Sequence, residues 1–196
     1  MLTQLSTVKA RLSLTDTDTS NDATLTNAIQ AVSVRFDHEC NRALARTQDL
    51  PFEFSPSDME IVVDCYPIEV VTRFEVKTSE ALGWLEQTDV DFVIRRSCVI
   101  SLCCAMSVEP ASATLCRVIY TGGYVMPGTE PLPGQQPLPA DIEQAAADQV
   151  AYWFQNRDRL GLQRIWDYHS TYRQFADLDL LTTVRAVLER YTRWMV

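Results

Sequence analysis

This 196-residue chain is short of the residues that do chemistry. It has two histidines, six cysteines and six glycines. The cysteines include the adjacent pair Cys103-Cys104, but none shows CxxC spacing, so no zinc ribbon or dithiol motif is present. His38 and Cys40 lie two apart on a predicted helix and so face different ways. His169 stands among aromatics. No GxGxxG and no Lys-Ser/Thr pair opening a helix occurs, which excludes the common phosphate cradles. No apolar run approaches the roughly 20 residues of a membrane span, and Met1-Leu2-Thr3-Gln4 opens without a basic or hydrophobic leader, so no membrane role and reduced, mostly buried thiols are expected. Asp16, Asp18 and Asp22 could supply oxygen ligands, but the glycine and terminal glutamate of a calcium loop are missing. Asp89 and Asp91 alternate onto one face of an expected strand, and a solvated surface is the ordinary reading of such a pair. The expectation is therefore no enzyme, no cofactor and no metal.

What is present is an ordinary globular composition, 46% hydrophobic and 22% charged, with a net charge of −9. The charge is unevenly placed. Residues 1–48 hold five acidic and five basic groups, residues 49–126 twelve and five, and residues 127–196 nine and seven. An acidic middle argues against a tight grip on nucleic acid, which depends on Lys and Arg neutralising phosphates.

Periodicity divides the chain. Ser6 to Leu14 predicts a short helix capped by Ser6 with Val8 and Leu12 inward, and Thr15 to Asp22 a polar loop. Leu25, Ile29, Val32 and Phe36 form one stripe of a helix expected from Asp22 to Ala45. From Asp49 to Tyr120 the period is two, with strands expected around Met59–Asp64, Val70–Lys77, Val90–Arg95, Cys98–Cys104 and Leu115–Tyr120 and with Pro51, Pro56, Pro67 and Pro110 at strand ends. Cys98–Cys104 is expected to be central and buried on both faces. Gly122-Gly123 ends the last strand. A loop from Val125 to Leu138, expected to order only on assembly, leads to a helix from Pro139 to Leu160 with Ile142, Ala146, Val150 and Trp153 inward and Gly161 beyond its end. Leu162 to Phe175 reads as irregular. The last helix, Leu178 to Trp194, is apolar on two sides, which points to a partner.

The expected class is α+β, a helical core (N-terminal helix pair, central helix and C-terminal helix) with an inserted antiparallel β-lobe. Its parts are N-terminal core helices at 1–48, the β-lobe at 49–126, a proline-rich loop at 127–138, and the central and C-terminal helices at 139–196.

Three segments in order, together with the C-terminal Val184-Arg185-Ala186-Val187-Leu188-Glu189-Arg190-Tyr191, carry a family resemblance over somewhat more than half of the chain. They are Thr7-Val8-Lys9-Ala10-Arg11-Leu12-Ser13-Leu14 with the Leu25/Ile29/Val32 helix ending near Asn41-Arg42, the turn Tyr120-Thr121-Gly122-Gly123-Tyr124, and Leu138-Pro139-Ala140-Asp141-Ile142 running on to Asn156-Arg157. With them the chain resembles the head–tail connector (adaptor) proteins that form a ring beneath the portal of tailed phages. The long region Asp49–Leu115 departs from the shortest members.

The resemblance implies a homo-oligomeric, commonly dodecameric, ring in the neck of a virion, made in the host cytoplasm. It implies a portal protein above, a stopper or tail-completion protein below, double-stranded DNA passing through without specific binding, and no known chemistry. On it rest two sets of expected contacts. Leu181, Val184, Arg185, Leu188, Tyr191 and Trp194 of the last helix would dock to the portal, the aromatics as anchors. Glu60, Asp64 and Glu69 would line an acidic lumen that repels DNA. The alternatives are another neck or tail-completion protein, and a small metal-dependent enzyme or binding module using His38, His169 and the cysteines.

Overall fold

Helical spacing in the outer thirds of the sequence and alternation in its middle give an α+β chain with antiparallel sheets. The computed structural model describes residues 1–104, 114–157, 164–166, 172–174 and 179–193. The chain divides into two units, residues 1–40 with 126–128 and 138–192, and residues 41–125 with 129–137 and 193–196.

The first unit holds α1 (Leu5–Arg11), α2 (Asp22–Glu39), α3 (Ala140–Gln155) and α4 (Thr182–Leu188), which runs into a 3₁₀ turn at Glu189–Tyr191. A two-strand antiparallel hairpin, Arg164–Trp166 with Tyr172–Gln174, falls where irregular chain is expected. Leu25, Ile29, Val32 and Phe36 of α2 are all 2% exposed or less, as the stripe predicts. Burial on that scale stabilises by about 1.5–3 kcal/mol per side chain. The helix α3 packs against α1, α2 and α4. Ile142, Ala146 and Val150 are buried on it, and Trp153 is half-buried. Gln149, fully buried, accepts the Leu181 N–H at 2.8 Å, so an α3 amide serves the start of α4.

Helix ends differ from expectation. Ser6 does not cap α1: the cap position is Gln4, and Ser6 lies within the helix. The helix α2 stops at Glu39 rather than Ala45, because Asn41 takes a left-handed φ of 50°, a conformation its short polar side chain tolerates. Pro139 is the cap residue of α3, with an extended ψ of 133°, and not part of its first turn. Leu160 and Gly161 lie outside the described residues.

The second unit is two stacked antiparallel sheets. One has the order β1 (Thr47–Phe54), β7 (Leu115–Gly122), β3 (Ile68–Lys77), β4 (Leu85–Gln87), and the other β2 (Glu60–Val62), β6 (Val99–Leu102), β5 (Phe92–Arg95). Their facing sides form one core from Phe54, Phe74, Val118 and Tyr120 to Ile61, Ile100 and Leu102. The Phe74 ring packs on Phe92 of the opposite sheet, 5.4 Å between centroids.

Pro51 lies inside β1, opposite Ile119, and not at a strand end. β1 is an edge strand, where a missing N–H removes no ladder bond. β6 is central, and Ile100, Ser101 and Leu102 are buried, but Cys103 and Cys104 follow it as exposed residues. Asp89, with φ 65°, and Asp91 precede β5 and share no strand face.

Candidate assembly interface

The turn that ends β7 is packed too closely for any residue but glycine. A β-carbon on Gly122 would collide with the Cys65 carbonyl oxygen, and one on Gly123, whose φ is 100°, would lie 2.7 Å from the Ala45 oxygen. Around this turn Tyr120 is fully buried. Its hydroxyl donates to Asp64 Oδ1 at 2.8 Å and accepts the Cys65 N–H at 3.1 Å. Burial pushes the phenol pKa far up, and the Asp64 carboxylate that accepts its hydrogen bond adds to the shift.

Arg42 lies over the Tyr66 ring, 3.2 Å from its centroid, with Tyr124 at 5.4 Å, and donates to the Tyr66 carbonyl. Arg46 makes two hydrogen bonds to Glu69, at 2.7 and 3.2 Å, and Gln135 donates to the same carboxylate at 3.5 Å. These bonds hold the Glu69 carboxyl below its usual pKa. The Val125 N–H donates to the Gln136 oxygen at 2.8 Å, which ties the two ends of the proline loop together.

The residues expected at a docking face fall into two groups. Val184 and Leu188 are 2% exposed and belong to the core of the first unit. Leu181 is half-buried, and half-buried Tyr191 donates to both Asp141 oxygens, at 2.8 and 3.0 Å. Arg185 is exposed and pairs with Asp179, whose carboxyl is held low by the Leu180 N–H and then by Arg185. Trp194 lies outside the described residues. Beside α4 a cavity of about 180 Å³ is lined by Asp141, Gln144 and Asp148 of α3 and by Thr183, Val184 and Val187.

Each acidic residue expected in a lumen has a partner. Glu60 pairs with Arg95 at 2.9 Å, Glu69 with Arg46, and Asp64 accepts from Tyr120. Their local field is weaker than the formal charge of the segment suggests.

Among the described residues, no group of three or more His, Cys, Asp and Glu is arranged to hold a metal. His38 is exposed and Cys40 buried, and His169 lies outside the described residues. Three thiols are buried and Cys98 is half-buried, while Cys103 and Cys104 are exposed. The Asp16–Asp22 loop already holds a cation. The buried Lys9 ammonium donates to the Asp18 oxygen at 2.8 Å and the Asp16 oxygen at 3.3 Å, and pairs with Asp22 at 2.6 Å. Sequence reasoning missed this, because one lysine on a short helix reads as a solvated charge. No helix among the described residues is long and apolar enough to cross a membrane.

No family model matches the sequence, and neither does any curated protein. Solved structures do match. A chain from the neck of an empty gene transfer agent particle, solved with C6 symmetry, has a TM-score of 0.64 and 15% identity over 100% of this chain and 91% of that chain. A chain from the neck of the native particle, solved with C12 symmetry, gives 0.57 and 16% over 96% and 89%. One from the virion of the native gene transfer agent gives 0.58 and 14% over 97% and 89%. At such identities the likeness is one of fold, and it runs through nearly the whole length of each chain.

Proposed function

We propose that this protein is a structural component of the neck of a phage-like particle. It would be an adaptor subunit whose ring joins the DNA-filled head to a stopper or tail and lets DNA pass through. One observation carries the reading, the end-to-end likeness of fold to neck chains of gene transfer agent particles. The C12 symmetry of one of those necks supports a ring of twelve copies. The role is assembly rather than catalysis, with the virion as its destination after synthesis in the host cytoplasm.

The portal contact remains assigned to the last helix, with roles divided by burial. Val184 and Leu188 hold α4 to its unit, whereas Arg185, with Leu181 and Tyr191 at its margins, faces the portal. The cavity beside α4, with Asp141 and Asp148 in its wall, would take a basic side chain from the portal. Glu60, Asp64 and Glu69 stay candidates for the lumen, where paired carboxylates present a surface with little hold on phosphate.

The test is a reconstruction of the neck of a particle carrying this chain, with Arg185→Glu beside it. A ring of this chain directly under the portal, and particles that fail to join head to tail with the variant, are expected. Density assigned to the chain outside the neck would overturn the reading. Deleting the whole C-terminal segment is a poor substitute, because it removes Leu180, Val184 and Leu188 from the core.

A further inference from the structure

Three of the four sheet edges in the second unit are blunted against other chains. β1 carries Pro51 within it, and its register shifts between Thr47 and Leu50, where Asp49 takes a φ of 50°. On β2 the Val62 carbonyl is covered by Arg193, whose Nη2 donates to it at 2.6 Å. β4 is only three residues long. Proline, irregularity, a covering side chain and shortness are the ordinary means of keeping a free edge unpaired.

β5 has no such protection. It is the outer strand of its sheet, whose central strand is β6. The amides of β6 alternate between its two neighbours. The Leu102 N–H goes to Met59 beside β2 at 2.9 Å, and the Cys103 N–H goes to Asp91 beside β5 at 2.8 Å. Ser101 therefore bonds β5 through its register partner Val93, and the N–H and C=O groups of Phe92 and Ile94 point away from the sheet. Among the described residues none bonds to them. The side chains are open as well, with Val93 54% exposed and Ile94 37%.

This edge is complementary to itself. Asp91-Phe92-Val93-Ile94-Arg95 has an acid at one end, a base at the other and apolar residues between. Asp91, Val93 and Arg95 alternate onto the outer face, and all are exposed. Laid antiparallel on a second copy and centred on Val93, the segment sets each Phe92 opposite an Ile94 and each Asp91 opposite an Arg95. One donor of Arg95 reaches Glu60 at 2.9 Å on the same face, which leaves the rest of its fork for a second carboxylate.

We propose that two copies of this chain pair through their β5 edges, antiparallel and centred on Val93, joining their three-stranded sheets into one. The contact is isologous and has a two-fold axis. Neighbours in a cyclic ring are related by rotation about the ring axis instead, so this pairing belongs to the chain outside a ring. It stands or falls apart from the neck reading. One strand edge buries far less than a stable complex does, so the pair forms reversibly.

The test uses full-length chain with Cys103→Ser and Cys104→Ser. In the proposed ladder Val93 faces Val93 of the second copy as a non-hydrogen-bonded pair, a spacing of about 4.5 Å between α-carbons that a disulfide spans. Val93→Cys oxidised with copper phenanthroline should therefore give linked dimers at about fivefold or more the yield of Glu53→Cys on the β1 edge. Asp91→Arg or Arg95→Asp, each added to Val93→Cys, places like charges opposite each other and should cut that yield about threefold or more. Mixing the two charge variants should restore it as heterodimers, which a folding defect could not do. A Val93→Cys yield no higher than that of Glu53→Cys would overturn the pairing. Equal yields from the charge variants, or no gain on mixing them, would overturn it too.

Discussion

The Tyr120 hydroxyl donates to Asp64 Oδ1 at 2.8 Å, and the same phenolic oxygen accepts the buried Cys65 N–H. One hydroxyl thus ties β7 to the segment that leads into β3. Tyr120→Phe keeps the ring and strands the Cys65 N–H, a loss of about 1–3 kcal/mol. Urea unfolding at neutral pH should show that drop with an unchanged slope.

The same residue sets an alkaline limit. Its folded pKa lies well above the ordinary tyrosine value of about 10. The stability it contributes is complete below that value and is lost as pH rises above it, because the unfolded chain ionises first. The wild type should therefore weaken steeply above about pH 10. A denaturation series across that range should find a shallower fall in Tyr120→Phe, and equal slopes would argue against the buried phenol as the cause.

The Lys9 ammonium is the internal ion of the Asp16–Asp22 loop. Lys9→Met keeps the apolar stem and deprives three oxygens of their donor. Asp22 is partly solvated, so the cost stays near about 1–3 kcal/mol rather than that of a fully buried charge. Limited proteolysis mapped by mass spectrometry should find new cleavage between residues 15 and 22. Unchanged cleavage would show that the loop holds itself.

Sequence reading succeeds here where periodicity is long and fails where tertiary partners decide. The stripe Leu25, Ile29, Val32 and Phe36 is legible because about three helical turns repeat one signal, and all four residues are buried. The end of that helix is not legible, since Ala43 and Ala45 are drawn into bridges with Cys65 and Tyr124. Strand β5 hides its inward face. Phe92-Val93-Ile94 is an unbroken apolar run, and only pairing with Leu102 and Ile100 shows which members face the core. On α4 the apolar residues suggest a docking stripe, but burial assigns Val184 and Leu188 to the core and leaves Arg185 outside.

Gly122→Ala should be the most damaging single methyl. The collision it creates is with the backbone oxygen of Cys65, which cannot rotate away as a side chain could. Overpacking of this kind costs about 1–3 kcal/mol or more. The variant should express poorly or melt well below the wild type. Gly134→Ala, with φ 91° but open space around its β-carbon, should suffer only the smaller backbone penalty. A thermal melt of both variants separates collision from dihedral strain.

Glu75 gives the opposite pH limit to Tyr120. It is 7% exposed on β3 and accepts from Arg73 at 2.8 Å and from Arg117, whose guanidinium stacks 4.1 Å over the Trp84 ring. Burial alone would raise its pKa, but the two guanidiniums outweigh that and hold it below the usual value. A carboxyl lowered in the folded state contributes stability above its unfolded pKa, about 4.3, and loses it as pH falls through the folded pKa. The wild type should thus lose stability below about pH 4, and Glu75→Gln should show less of that loss. The variant should also be weaker at neutral pH, because Arg73 and Arg117 then crowd a neutral amide. Guanidinium chloride would screen the ion pairs being measured, so urea titrations from acid to neutral pH are the appropriate readout. An acid limb equally steep in both proteins would mean that other carboxylates set it.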